Sequence, residues 1–101
     1  MTGLDPIHPS EVLKHYFMEP FSLSATSLAK ALGITPARTN EIVRRQRGIS
    51  ADTALCLAKY FNTDARSWMN LQNQYQLAVA EQKSSKALSA ICPMEATWPK
   101  R

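Results

Sequence analysis

The chain has 101 residues, 45% of them hydrophobic and 20% charged, with a formal net charge of +4. That is the composition of one small globular domain, too apolar for a disordered chain, and no apolar run approaches the roughly 18 residues of a membrane span. Three glycines leave little material for a phosphate-cradling loop, two cysteines are too few for a disulfide framework, and no secretory pattern opens the chain, so a reduced, cytoplasmic protein is expected.

The positive charge is concentrated. Residues 1–37 carry Lys14 and Lys30 against Asp5, Glu11 and Glu19, and residues 48–82 carry Lys59 and Arg66 against Asp52, Asp64 and Glu81. Between them, residues 38–47 hold Arg38, Arg44, Arg45 and Arg47 against the single Glu41. Residues 83–101 hold Lys83, Lys86, Lys100 and Arg101 against Glu95. Arginine forks onto phosphate and guanine, so an arginine cluster on a near-neutral body reads as a binding surface. The competing reading is a solvated basic face.

Helical periodicity predicts five helices in chain order and no strand. The first starts at Pro9 behind a cap region containing His8, has Glu11 near its positive end, turns Val12, Leu13, Tyr16 and Phe17 inward, and stops at Pro20. The second opens on Ser24 as N-cap, buries Leu28, Ala29 and Leu32, and stops in a left-handed turn at Gly33. The third opens on Thr35 with Pro36 in its first turn, buries Ile42 and Val43, and runs to Gly48. The fourth opens on Ser50 with Asp52 in its first turn. Ala54, Leu57, Ala58 and Phe61, at i, i+3, i+4 and i+7, make its inner face, and Asn62 breaks it. The fifth opens at Thr63 or Asp64 and runs to about Gln82, with Trp68, Leu71, Tyr75, Ala78 and Val79 as its stripe. Residues 1–82 then form one domain and residues 83–101 a loose tail, in which Leu88, Ile91 and Trp98 are the side chains able to dock.

The stretch Ser24 to Arg47 reads helix, glycine turn, helix. Ala29 is small enough for a close crossing, Gly33 permits the sharp turn, and Ile34 and Ile42 anchor the second helix. What remains outward on that helix is Arg, Asn, Thr and Glu. This is the layout of a helix-turn-helix, whose second helix enters the major groove of duplex DNA.

Four stretches sharpen the reading: IHPSEVL (Ile7 to Leu13), LAKALGI (Leu28 to Ile34), NEIVRRQRGISADTALCLAKYF (Asn40 to Phe61) and WMNLQNQYQL (Trp68 to Leu77). Together they resemble the HigA-family (VapI-like) antitoxins, within the lambda-repressor-like helix-turn-helix proteins, over roughly residues 7 to 80. The resemblance implies an all-α, five-helix fold. It also implies a homodimer that binds a palindromic operator in double-stranded DNA and represses its own operon, and a RelE-like toxin partner, a small mRNA-cutting ribonuclease held inactive by the antitoxin. Two residues depart from the pattern. Thr39 stands where the family usually has an apolar residue, either weakening the anchoring of the recognition helix or placing its hydroxyl against the backbone. Ala25 stands where many relatives in the wider superfamily carry Gln, removing one expected DNA contact.

By motif position, Thr35 and Ala37 face base edges at the start of the reading helix. Arg38 and Arg44 are candidates for guanine or phosphate, and Asn40 for adenine. Arg45 and Arg47, with Ser24 and Thr26 at a helix N-terminus, are candidates for phosphate. Trp68, Leu71 and Tyr75 are the candidate dimer contacts, with core packing of the fifth helix as the alternative. His8 and His15 have no cysteine or acid at metal-ligand spacing, Cys56 reads as a packed thiol and Cys92 as an exposed one. No catalytic motif is visible, so a non-enzymatic protein without a cofactor is expected. Two further readings stand beside the antitoxin: a stand-alone transcription regulator of the same fold, and a protein-binding adaptor that has lost DNA.

Overall fold

Five helices begin on a side-chain acceptor one residue ahead of their first turn, which satisfies a backbone N–H that the helix leaves unpaired. His8 Nδ1 accepts from Ser10 N, Ser24 from Ser27 N, Thr35 from Arg38 N, Ser50 from Thr53 N and Asp64 from Arg66 N. The computed structural model describes residues 6–94, and all regular structure among them is helical.

The first helical segment is not a plain α-helix. α1 (Pro9–Val12) continues into a π-helical stretch, Leu13–Met18, and a 3-10 turn, Glu19–Phe21. Pro20 is the physical cause. In an α-helix its ring would collide with the carbonyl four residues back. The backbone widens instead, Glu19 N bonds to Lys14 O, and the path ends at Ser22 in a left-handed conformation (φ 55°). The segment therefore runs through Pro20 rather than stopping there. The wider turn also moves the buried position from Tyr16, which is 70% exposed, to Met18.

α2 (Ala25–Leu32) ends at Gly33, φ 74°, whose N–H bonds to Ala29 O at 2.9 Å. No atom lies within 4 Å of a Cβ built there, so the turn needs glycine for its backbone angle and not for space. α3 (Pro36–Val43) crosses α2 over the buried Leu28 and Ala29. It ends at Val43, well short of Gly48. Arg45 takes the left-handed conformation (φ 66°), and Gln46 N and Arg47 N both turn back to Glu41 O, at 2.8 and 3.2 Å. α4 (Ala51–Phe61) stops at Asn62, φ 57°. α5 (Ala65–Lys83) is followed by a short α6 (Ser85–Ser89), inside the segment expected to be a loose tail. Leu88 and Ile91 do not dock on the body, being 49% and 66% exposed. Trp98 lies outside the described residues.

The core gathers Leu13, Met18, Leu28, Ile42, Ile49, Ala54, Leu57 and Trp68. Phe17 fills the seam between Phe61 and Trp68, with ring centroids 4.9 and 5.3 Å away. Trp68 Nε1 donates to Thr63 Oγ1 at 2.9 Å, so the buried indole keeps its hydrogen bond. No described helix is long and apolar enough to cross a membrane.

Candidate nucleic-acid interface

α3 is held from below and bare above. Thr39 and Ile42 face the core at 1% and 2% exposure. Thr39 is tolerated there because its Oγ1 donates to Thr35 O at 3.2 Å, the second of the two outcomes open from the sequence. At about 100° per residue, Ala37, Asn40, Glu41 and Arg44 share one outward arc on the opposite side. Ala37 and Arg44 are exposed, and Asn40 and Glu41 are half-buried. Thr35 is exposed at the entrance, its oxygen engaged as the cap.

The four arginines of the cluster do not behave alike. Arg38 lies roughly 100° round the helix from Ala37, toward the body. Its Nη2 donates to Ser50 Oγ at 3.3 Å, and its Nε is buried without a partner. It braces α3 against the start of α4 and does not share the outward arc. Arg44, the last residue of that arc, has no ion-pair partner among the described residues. Arg45 and Arg47 sit on the turn beyond the helix. Arg45 Nη1 lies 3.9 Å from Glu11 Oε2, and Arg47 Nε donates to Glu41 Oε1 at 2.7 Å. The basic surface is thus a short helix followed by an arginine turn, not one rigid rod from Thr35 to Arg47.

Ser24 and Thr26 are exposed at the N-terminus of α2, beside α3. Ser24 is the cap and also donates to Ser27 Oγ at 3.0 Å. Thr26 makes no side-chain hydrogen bond within the described chain, so its hydroxyl is available to an anion at the positive helix end.

Two acids border this surface. Glu41 stands on the outward arc itself. Glu11, on α1, links Arg45 to His15, whose two ring nitrogens reach Glu11 at 3.1 Å and Glu19 at 3.2 Å. Hydrogen bonding to Glu19, its charge and the Glu11 contact raise the His15 pKa above the ordinary 6.5. His8 is pushed the other way, first by burial and then by the Arg45 charge.

The three residues expected at a dimer contact do not form one exposed patch. Trp68 is 3% exposed and belongs to the chain's own core, where it packs on Phe17. Leu71 is half-buried and lines a shallow 290 Å³ hollow with Val12, Phe17, Thr63, Ser67 and Trp68. Tyr75 is half-buried, with its ring 4.7 Å from His8, edge to face. Cys56 is half-buried and Cys92 exposed, both free. Sequence reasoning missed Glu41 and Glu11 as partners of the arginines. It also missed Gln72, a buried polar residue on α5 whose Oε1 accepts the Ile49 N–H at 2.7 Å.

The fold and much of the sequence are shared with known proteins. The chain is 52% identical over 88 residues to virulence-associated protein I of Dichelobacter nodosus, covering 87% of this chain and 81% of that one. The structure of this chain superposes on the Pseudomonas aeruginosa antitoxin HigA solved with the higBA promoter. The TM-score is 0.85, the identity 47%, and the match covers 88% of this chain and 98% of the other. An addiction module antidote protein of the HigA family from Coxiella burnetii gives a TM-score of 0.84 at 40% identity, over 90% of this chain and all of that one. No family model matches the chain.

Proposed function

The chain belongs to the HigA family of helix-turn-helix antitoxins, and from that membership we propose that it is a DNA-binding autorepressor that also neutralises a toxin. The observation that carries the DNA reading is the outward arc of α3, where Ala37 and Arg44 are exposed and Asn40 half-buried, on the side opposite the core-facing Thr39 and Ile42. Asn40 suits adenine and Arg44 suits guanine. Thr35 and Ala37 approach base edges, and Ser24, Thr26, Arg45 and Arg47 hold the phosphates on either side. Arg38 acts from behind, through Ser50.

Residues 1–82 form the DNA-binding unit, and it works as a homodimer. Leu71 and Tyr75 supply half-buried surface on α5 toward the second copy. The partner is a RelE-like, mRNA-cleaving toxin encoded beside this chain.

The test is a gel shift on the native upstream DNA. Arg44→Ala should weaken operator binding roughly five- to hundredfold, the worth of one good base or phosphate contact, with thermal stability unchanged. Equal affinity for the two proteins would overturn the groove assignment. Co-expression with the adjacent reading frame should yield a complex that co-purifies. A chain that binds its operator but recovers no such partner is a stand-alone regulator.

A further inference from the structure

Gln72 occupies a position where periodicity calls for an apolar side chain. It lies on the inner face of α5, four residues after Trp68, and is 5% exposed. Its Oε1 accepts the Ile49 N–H at 2.7 Å, across 23 residues of sequence. A Cβ at Gly48 would lie 2.7 Å from its Nε2 and 2.8 Å from its Cδ and Oε1. Gly48 does not have a positive φ. It is glycine because the Gln72 amide lies against its backbone.

The backbone touched in this way is the exit of the arginine turn. The near end of that turn is bonded to α3, through Gln46 N and Arg47 N on Glu41 O. In its middle Arg45 holds a left-handed conformation that a non-glycine residue keeps only when its surroundings impose it. The far end is fixed by the burial of Ile49, 3% exposed, and by Gln72. Among the described residues, Gln72 makes the only hydrogen bond that reaches the backbone of this turn from outside α3. Ser50, which follows Ile49, caps α4 and receives Arg38.

We infer that Gln72 is a positioning residue for DNA recognition, its amide clamping Gly48 and Ile49 to α5 so that Arg44, Arg45 and Arg47 meet the duplex on a turn already ordered. This rests on the DNA-binding reading above. Without the amide the far end is held by the burial of Ile49 alone, and the ordering this leaves for the bound state is subtracted from affinity. The effect is larger on the operator, which needs base register, than on scrambled DNA, which needs only charge.

The experiment compares the full chain, Gln72→Met and Gln72→Glu on operator and scrambled duplexes, at a temperature where circular dichroism shows each protein folded. Methionine keeps the length and shape but cannot accept the Ile49 N–H. Glutamate keeps shape and acceptor. Operator affinity should fall about tenfold in Gln72→Met, with a smaller loss on scrambled DNA, and stay within about threefold of the parent in Gln72→Glu. Amide exchange at Ile49 should quicken in Gln72→Met alone. Gly48→Ala should also weaken binding, and less so when combined with Gln72→Ala, because the colliding amide is gone. Parent-like binding by Gln72→Met, or equal losses in Met and Glu, overturns the inference and reduces Gln72 to packing. A parent protein with a protected Ile49 amide that binds neither duplex instead overturns the DNA reading, and this inference with it.

Discussion

Glu41 lies on the outward arc of α3 and holds Arg47, Nε to Oε1 at 2.7 Å, with the two side chains 42% and 51% exposed. The pair occupies the Nε donor of Arg47 and orients its guanidinium toward Glu41, and the carboxylate itself faces the duplex with like charge. Half-exposed pairs of this kind are worth about 0.2–1 kcal/mol. Glu41→Gln removes that holding energy, and 1 kcal/mol is about fivefold in affinity. The variant should therefore bind operator roughly two- to fivefold more tightly at low salt, and scrambled DNA by a similar factor, since a phosphate contact carries no sequence information. The log–log salt slope should be the same in parent and variant, since Arg47 meets its phosphate in both, and should become shallower by about 0.9 in Arg47→Ala. The gain should vanish when Arg47→Ala is combined with it, and folding stability should fall by no more than about 1 kcal/mol. Fluorescence anisotropy across a salt series reads all of these. Unchanged or weaker binding by Glu41→Gln, together with a slope that Arg47→Ala leaves unaltered, would mean that Arg47 never reaches a phosphate, and the arginine turn would lose its assigned role.

Thr39→Val should change stability to urea by less than about 1 kcal/mol. Thr35 O keeps the Thr39 N–H at 3.1 Å when the hydroxyl is gone, and the lost bond, about 1 kcal/mol, is offset by one more buried methyl, about 0.8 kcal/mol. A loss above about 2 kcal/mol would show that the hydroxyl anchors α3. His8 must be neutral to accept from Ser10 N at 3.0 Å, and burial lowers its pKa. Its stabilising effect is therefore full above the ordinary 6.5 and erodes as pH falls below it toward the lowered folded value. Melting curves for His8→Asn, which keeps a capping acceptor, should lose part of the acid-side decline seen in the parent. An identical decline refutes the assignment. His15 runs the opposite way, with a pKa raised by Glu19 and Glu11. Its contribution is present below 6.5 and disappears as pH rises through the raised value. His15→Gln should be less stable than the parent in acid and converge with it in base, and a constant offset would count against it.

Helix starts are legible in this sequence because a cap is a local hydrogen bond. Ser24, Thr35 and Ser50 each cap the helix expected of them, and of the two starts open for the fifth helix, Thr63 and Asp64, the cap is Asp64. Gly33 and Asn62 mark stops for the same reason, since their left-handed angles suit those residue types. The end of α3 is not legible. No glycine or asparagine stands between Arg44 and Arg47, and an arginine takes the left-handed position because Ile49 must reach the core and Gly48 must lie against Gln72. That requirement comes from α5, more than twenty residues away. Gln72 is invisible to hydrophobic periodicity because it is polar, and the bond of Arg38 to Ser50 joins residues twelve apart, which no periodicity relates. α6 is five residues long, too short for a period to show.

The same geometry gives a quantitative argument for the proposed second copy. The outward arc offers two side chains able to make bidentate base contacts, Asn40 and Arg44. At about 1–3 kcal/mol each, one chain reaches roughly 2–6 kcal/mol of discrimination between operator and other DNA. Repressors typically need about 4–10 kcal/mol to find a site among competing sequences. Two copies on a palindrome double the contribution of one, to roughly 4–12 kcal/mol, without any new residue type. A variant of α5 that stays folded but monomeric should therefore lose far more affinity for the operator than for scrambled DNA. Equal losses on the two would mean that phosphate contacts alone profit from the second copy, and that Asn40 and Arg44 read no bases.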